Sequence, residues 1–266
     1  MSRIRMFAAV LLVVLAPAAA HAQINFEKTG YYVAMGDSVA AGEGAMPVTN
    51  GYAYRLYDHG VFGRKPEMDF SNIALRGARS WEFLNHQVPQ LLCTGTNPRP
   101  TVITVTVGAI DFLRGDQNIA GIAARIAEGV NRLLNNGTAL VAAPVLEPPT
   151  GLPGAGLPCP RLSNVTILVS NYYSIPHPDP VVNAQLDAAL SNFGPALQFF
   201  LGLVNVPAGS RVALVDLYTP SIDRQGLVLI ERRLGFTGPL NFEIHPTNAG
   251  HAFIAAQFAA AWNGLQ

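Results

Sequence analysis

The sequence predicts an α/β fold: one parallel sheet of five strands sandwiched between helices, in three layers (α/β/α). Three observations predict it. Five short apolar, β-rich runs recur along the chain; helical patterns fill the gaps between them; and the runs are apolar almost throughout, as strands covered on both faces are. The composition agrees. Half of the 266 residues are hydrophobic and only 13% are charged, against about 25% in ordinary soluble domains, so material for a sizeable core is ample. Seventeen basic side chains balance seventeen acidic ones, which leaves no long-range attraction for a polyanion and removes nucleic acid from the expected partners. No repeat period or charge run argues for a solenoid or a disordered tail.

The first segment reads as a targeting device. Arg3 and Arg5 supply a basic start, Phe7 to Ala16 an apolar stretch, and Ala20-His21-Ala22 a small-residue cleavage signal. Residues 1–22 are therefore expected to be a signal peptide cut after Ala22, leaving 23–266 as a single domain. Removing Arg3 and Arg5 leaves 15 basic against 17 acidic groups, a net charge of −2. A membrane anchor is the poorer reading, because the 15 residues from Met6 to Ala20 are broken by Pro17 and a spanning helix needs about 20. No transmembrane segment is expected after cleavage, and the expected location is secreted or periplasmic. Cys93 and Cys159 are the only cysteines and form no C-x-x-C motif. In an oxidising compartment a structural disulfide between them is the expectation, ahead of a thiol nucleophile or a metal ligand.

The elements follow in order. Tyr31 to Met35 is the first strand, ending at Gly36; Phe70 to Leu75 is the second; Val102 to Val107 the third, ending at Gly108; Val165 to Ser170 the fourth; Val212 to Leu217 the fifth. Between the third and fourth, Ile119, Ile122, Ile126, Val130 and Leu133 make an amphipathic stripe over Ile119 to Leu134. Val181 to Val204 is a second helix, with a break expected at Pro195. Ala249 to Trp262 is the last, with Ile254, Phe258, Ala261 and Trp262 on one side. Asn135 to Asn164 is a Pro/Gly-rich insertion with six prolines and, among its glycines, Gly151, Gly154 and Gly156, although Ala139 to Leu146 has the makings of a short strand. So long a loop in a compact domain is usually functional or tied down, and a bridge from Cys159 to Cys93 would staple it to the body.

In parallel sheets, reactive groups gather beyond the carboxyl ends of the strands. Gly36-Asp37-Ser38 stands at such a place, among the small residues Val39, Ala40, Ala41 and Gly42, where a serine hydroxyl is not covered. Taken alone, that tripeptide is equally a plain turn with a capping serine. The second candidate is His245-Pro246-Thr247-Asn248-Ala249-Gly250-His251, just ahead of the last helix. Pro246 is expected at the first helical position, which sets His245 at a helix N-terminus where the dipole favours the neutral imidazole that a general base requires. Taken alone, His245 reads more readily as a surface or capping histidine than as a base. His251, inside the helical pattern, reads as structural.

Together these stretches resemble the SGNH, or GDSL-type, esterase and lipase family, over essentially the whole chain after the signal. The resemblance implies a three-layer α/β/α sandwich with a flavodoxin-like five-stranded sheet. It implies Ser38 as nucleophile and His245 as base, with the backbone N–H groups of Ser38 and Gly77 (in Ala74-Leu75-Arg76-Gly77-Ala78) as oxyanion donors. Asn171 to Pro176 is similar to the family's segment after the fourth strand. The chain departs from the pattern twice. Where the family has Gly-x-Asn-Asp, this sequence has Gly108-Ala109-Ile110-Asp111, and Ile110 offers no side-chain donor. Where the family has an Asp three residues before the histidine, this sequence has Phe242. Glu243, Asp111, Glu43 and a backbone carbonyl are the alternatives for orienting His245.

The function these residues point to is a secreted serine ester hydrolase, carboxylesterase- or lipase-like, working through an acyl-enzyme. No metal or cofactor is expected, because no histidine–carboxylate cluster has ligand spacing. The partner is a small-molecule, lipid or polysaccharide ester. Two alternatives stay open: a binding protein on the same fold with weakened catalysis, motivated by the two departures, and an esterase for O-acetyl groups on polysaccharide. The insertion fits an acyl groove or a lid.

Overall fold

Five strands form one parallel sheet in the order β2-β1-β3-β4-β5 in the computed structural model, which describes residues 30–63, 65, 67–93, 99–135, 159–177, 179–222, 227 and 244–266. They are β1 (Gly30–Gly36), β2 (Met68–Asn72), β3 (Val102–Thr106), β4 (Thr166–Ser170) and β5 (Arg211–Val215). Helices cover both faces. On one, α2 (Ser80–Glu82), α3 (Val88–Cys93), α5 (Ile119–Asn135) and α6 (Pro180–Leu201) pack together; elsewhere α1 (Tyr52–Asp58) packs against α7 (Asn248–Asn263). A short helix, α4 (Ala109–Leu113), follows β3. The predicted signal peptide and the short strand at Ala139 to Leu146 lie outside the described residues.

The strand order explains where a site belongs. The chain leaves β1 toward β2 on one side and returns to β3 on the other, so the carboxyl end of β1 is the point where the winding reverses and a crevice opens. All seven residues of β1 are buried, which its unbroken apolar run requires. The strand stops at Gly36, whose φ of +129° suits glycine and whose missing Cβ would stand 1.9 Å from the Thr106 carbonyl oxygen.

Three expected boundaries are corrected. The second strand runs over Met68–Asn72 and not Phe70 to Leu75; Ile73 and Leu75 leave the strand yet still donate to the Ala34 and Gly36 carbonyls at 2.9 Å, continuing the first strand's line of acceptors. The fifth strand ends at Val215 because the Leu217 and Tyr218 N–H groups turn to the Asn171 side-chain oxygen, at 2.6 and 3.3 Å. Helix α6 passes through Pro195 without ending. Pro195 is exposed, and so is Ser191, whose carbonyl the proline leaves without a helical donor; at an exposed position the missing bond costs less than it would in the core.

Candidate active site

Ser38 is the second residue past β1, at the reversal of the winding, and is only 4% exposed. The chain folds back at once: Ala41 N–H donates to the Asp37 carbonyl (3.0 Å) and Glu43 N–H to the Ser38 carbonyl (2.9 Å). Beneath the serine, the buried Asp37 carboxyl accepts the Val39 N–H at 3.0 Å and the Tyr172 hydroxyl. Burial pushes its pKa up from the ordinary 3.8 to about 7, and the hydrogen bond from Tyr172 opposes that rise.

The imidazole arrives from the other end of the chain. Nε2 of His245 lies 2.7 Å from Oγ of Ser38, across 207 residues of sequence, and His245 is 7% exposed. Two contacts bring it there. The Tyr173 hydroxyl donates to the Ile244 carbonyl at 3.1 Å. Gly44, with φ of +89°, lies so close that a Cβ on it would stand 2.3 Å from the Pro246 carbonyl oxygen and 2.8 Å from the His245 Cβ. The expected place of Pro246 at the first helical position is corrected. Thr247 is the N-cap of α7, its hydroxyl accepting the Gly250 N–H at 3.0 Å, because threonine can satisfy an open helix N–H and proline cannot. Pro246 and His245 therefore precede the helix.

The other residues singled out from sequence divide. Gly77 stands in the turn Leu75–Ala78, closed by the Ala78 N–H on the Leu75 carbonyl (3.1 Å), with φ of +73°. It does not line the small cavity at Ser38, which is formed by Asp37, Val39, Ile110, Tyr172, Ile175 and His245 among others. Ile110 thus brings a hydrocarbon wall to the serine. Asp111 is turned away from the histidine: its carboxylate accepts the N–H (2.8 Å) and the hydroxyl (2.7 Å) of Ser80 and pairs with Arg125 at 3.2 Å. Burial raises its pKa against the pull of those partners. Glu43 lies on the Nε2 side of the imidazole, Oε2 to Nε2 being 3.6 Å. Phe242 and Glu243 lie outside the described residues. Cys93 and Cys159 are joined, with Cα atoms 5.1 Å apart, tying the end of α3 to the chain ahead of β4.

Four residues support the site in ways their motifs did not disclose. Gln87 presents its side-chain amide to both polar groups of Gly36, accepting its N–H (2.8 Å) and donating to its carbonyl (2.7 Å), which fixes the last strand residue before the serine loop. Tyr172 reaches Asp37 and Asn171 holds the exit of β5. His251 is fully buried; its Nδ1 accepts the Tyr52 N–H (3.2 Å) and its Nε2–H donates to the Glu43 carbonyl (2.9 Å). Burial lowers its pKa from 6.5 to about 4, so the ring is neutral and braces the serine loop against α7. The only sequence signal was the buried face of α7 for His251 and the tyrosine pair after β4.

A groove of about 1190 Å³ lies between the segment from Phe112 to Ile119 and α6, with Phe112, Leu113, Ile119, Val182 and Leu186 among its walls. Among the described residues no cluster of three or more His, Cys, Asp or Glu side chains is arranged to hold a metal, and no helix is long and apolar enough to cross a membrane.

Comparison with known proteins fits the geometry. The fold is similar to a lipolytic protein of the G-D-S-L family from Veillonella parvula DSM 2008 (TM-score 0.55, 14% identity, 88% of this chain and 98% of that one). It is similar to a carbohydrate esterase family 3 protein from Talaromyces cellulolyticus (TM-score 0.54, 14% identity, 89% and 97%) and to the lipase Lip_vut3 from a goat rumen metagenome (TM-score 0.50, 15% identity, 88% and 97%). At these identities the likeness is one of fold. No curated protein sequence matches the chain. The profile of GDSL-like lipases and acylhydrolases matches residues 32–258, a stretch that contains both Ser38 and His245 and nearly the whole described fold. The chain therefore belongs to the GDSL-like lipase/acylhydrolase family, and it is an ester-bond hydrolase.

Proposed function

We propose that the chain hydrolyses acyl esters through a covalent acyl-serine, with Ser38 as nucleophile and His245 as general base. The observation that carries this reading is the 2.7 Å contact between Oγ of Ser38 and Nε2 of His245 at the carboxyl end of β1. In the first half-reaction the serine proton passes to Nε2 as Oγ attacks the ester carbonyl. The oxyanion rests on the backbone N–H of Ser38; Gly77, which does not line the cavity, is carried as the second donor on the family resemblance alone. Collapse expels the alcohol, protonated by the imidazolium, and water activated by the same histidine then releases the acid. With Ile110 in place of a side-chain amide, the oxyanion lacks one donor, a loss on the order of 10²–10³ in turnover where such a donor has been removed.

The acyl part of the substrate is a hydrocarbon chain. Ile110 and Ile175 line the cavity at the serine, and the groove begins two residues further along each segment, at Phe112 and at His177, with Leu113, Ile119, Val182 and Leu186 as apolar walls among polar side chains such as Arg114, Asp116 and Asp179. Export of the mature chain is supported by the three-part pattern of residues 1–22 and by the bridged cysteines.

Hydrolysis of p-nitrophenyl esters from acetyl to dodecanoyl tests both parts. Ser38→Ala is expected to lower kcat by at least about 10³; rates equal to wild type would overturn the assignment and leave a binding role. Ala189→Trp, which narrows the groove, is expected to move the preferred chain toward shorter esters. A wild-type profile peaking at acetyl esters would favour the O-acetyl polysaccharide reading instead.

A further inference from the structure

We infer that Glu43 supplies the negative charge that supports His245, and that it does so from the Nε2 side of the ring. Glu43 is in this view a positioning residue for the base, and the inference rests on the Ser38–His245 reading. The family's aspartate position holds Phe242, which carries no charge. Asp111 is committed to Ser80 and Arg125. Glu43 places Oε2 3.6 Å from Nε2 of His245.

That placement is built by the backbone. Glu43 stands between Gly42 and Gly44, both with φ of +89°, a conformation that favours glycine. Gly44 allows the loop to lie directly on His245 and Pro246, where any side chain would collide. The main chain of Glu43 is held at both ends: its N–H donates to the Ser38 carbonyl at 2.9 Å, and its carbonyl accepts Nε2–H of the buried His251 at 2.9 Å. Its carboxylate also pairs with Nε of Arg76 at 3.4 Å. Arg76 is 73% exposed, and so open a pair contributes little to stability.

The proton balance is simple. Oγ–H of Ser38 is transferred to Nε2, the ring becomes cationic, and the proton leaves on the alcohol. Glu43 neither takes nor gives it. A nearby carboxylate favours a cationic partner, and solvent at a side chain that is 25% exposed, together with the competing Arg76, weakens that support. The expected effect is a tenfold to hundredfold loss of kcat in Glu43→Gln with KM changed less than about twofold, and Glu43→Asp within about threefold of wild type.

The rates are counted per serine labelled to completion by a fluorophosphonate, so unfolded protein does not enter. Wild-type kcat in Glu43→Gln, or Glu43→Asp as slow as Glu43→Gln, overturns the inference. If Glu43→Gln yields no labelled serine, Glu43→Asp decides alone: a loss beyond about thirtyfold contradicts a role for charge. Ser38→Ala, run beside them, separates the two claims, because an active wild type silenced by Ser38→Ala with an unaffected Glu43→Gln sinks the role of Glu43 and leaves the hydrolase standing.

Discussion

Two substitutions test the serine's surroundings one side chain at a time. Ile110 lines the cavity at Ser38 where a family member carries an amide. Ile110→Asn is expected to raise kcat about tenfold, short of the full 10²–10³ an oxyanion donor is worth, because the backbone around it was not selected to aim the amide. A kcat at or below the wild-type value would mean that another donor already fills the place. Below the serine, Tyr172→Phe leaves the buried Asp37 carboxyl without its hydroxyl donor, and a loss of about 1–3 kcal/mol is expected in urea unfolding. Ser38 and His245 were legible because each stands in a short motif at a strand or helix boundary. The roles of Gln87, Tyr172 and Asn171 were not, although Asn171 to Pro176 stood out by resemblance, since a buried polar side chain shows its purpose only through a partner that the fold brings from 45 to 135 residues away.

At the scale of elements, the loops rather than the strands set the Ser38–His245 distance. The five strands were visible as apolar runs because both faces of a parallel sheet are buried, and α5 was visible through its stripe. The short helices α1 and α4 have too few turns to show a period, and their glycine N-caps, Gly51 and Gly108, carry no side-chain signal. The break expected at Pro195 failed because the sequence does not say that this position faces water. Gly44 is the tightest joint between the serine loop and the histidine segment. Gly44→Ala combines a collision at 2.3 Å with a left-handed φ, so kcat is expected to fall at least about a hundredfold, while β1 and the core stay folded by circular dichroism. Activity within a few-fold of wild type would show that the two loops do not need that contact.

For the whole molecule, two buried groups act on stability with opposite signs. His251 titrates near 4 when folded against 6.5 otherwise, so the unfolded chain binds the extra proton and stability falls as pH drops from about 6.5 to about 4, by on the order of 3 kcal/mol. Asp37 titrates near 7 when folded against 3.8 otherwise; here the folded chain binds the extra proton, and stability falls as pH rises from about 3.8 to about 7, by a similar amount. The two nearly cancel between pH 4 and 6.5. Asp37→Asn removes one of them, so its urea-unfolding free energy is expected to drop steeply toward pH 4 where the wild type stays flat; parallel profiles would contradict this. Reduction of the Cys93–Cys159 bridge, which spans 66 residues, is expected to cost about 4 kcal/mol by loop-closure entropy, read as a lower urea midpoint in reductant. The bridge was foreseeable from cysteine count and compartment, whereas the opposed titrations needed burial that no sequence pattern reveals.

The most direct test of the account is the site of covalent labelling by a fluorophosphonate ester, mapped by mass spectrometry in wild type and in His245→Gln. The account predicts one adduct, on Ser38, whose formation slows by at least about 10³ when the imidazole is removed. An adduct on a different residue, or on Ser38 at the same rate without His245, would contradict it.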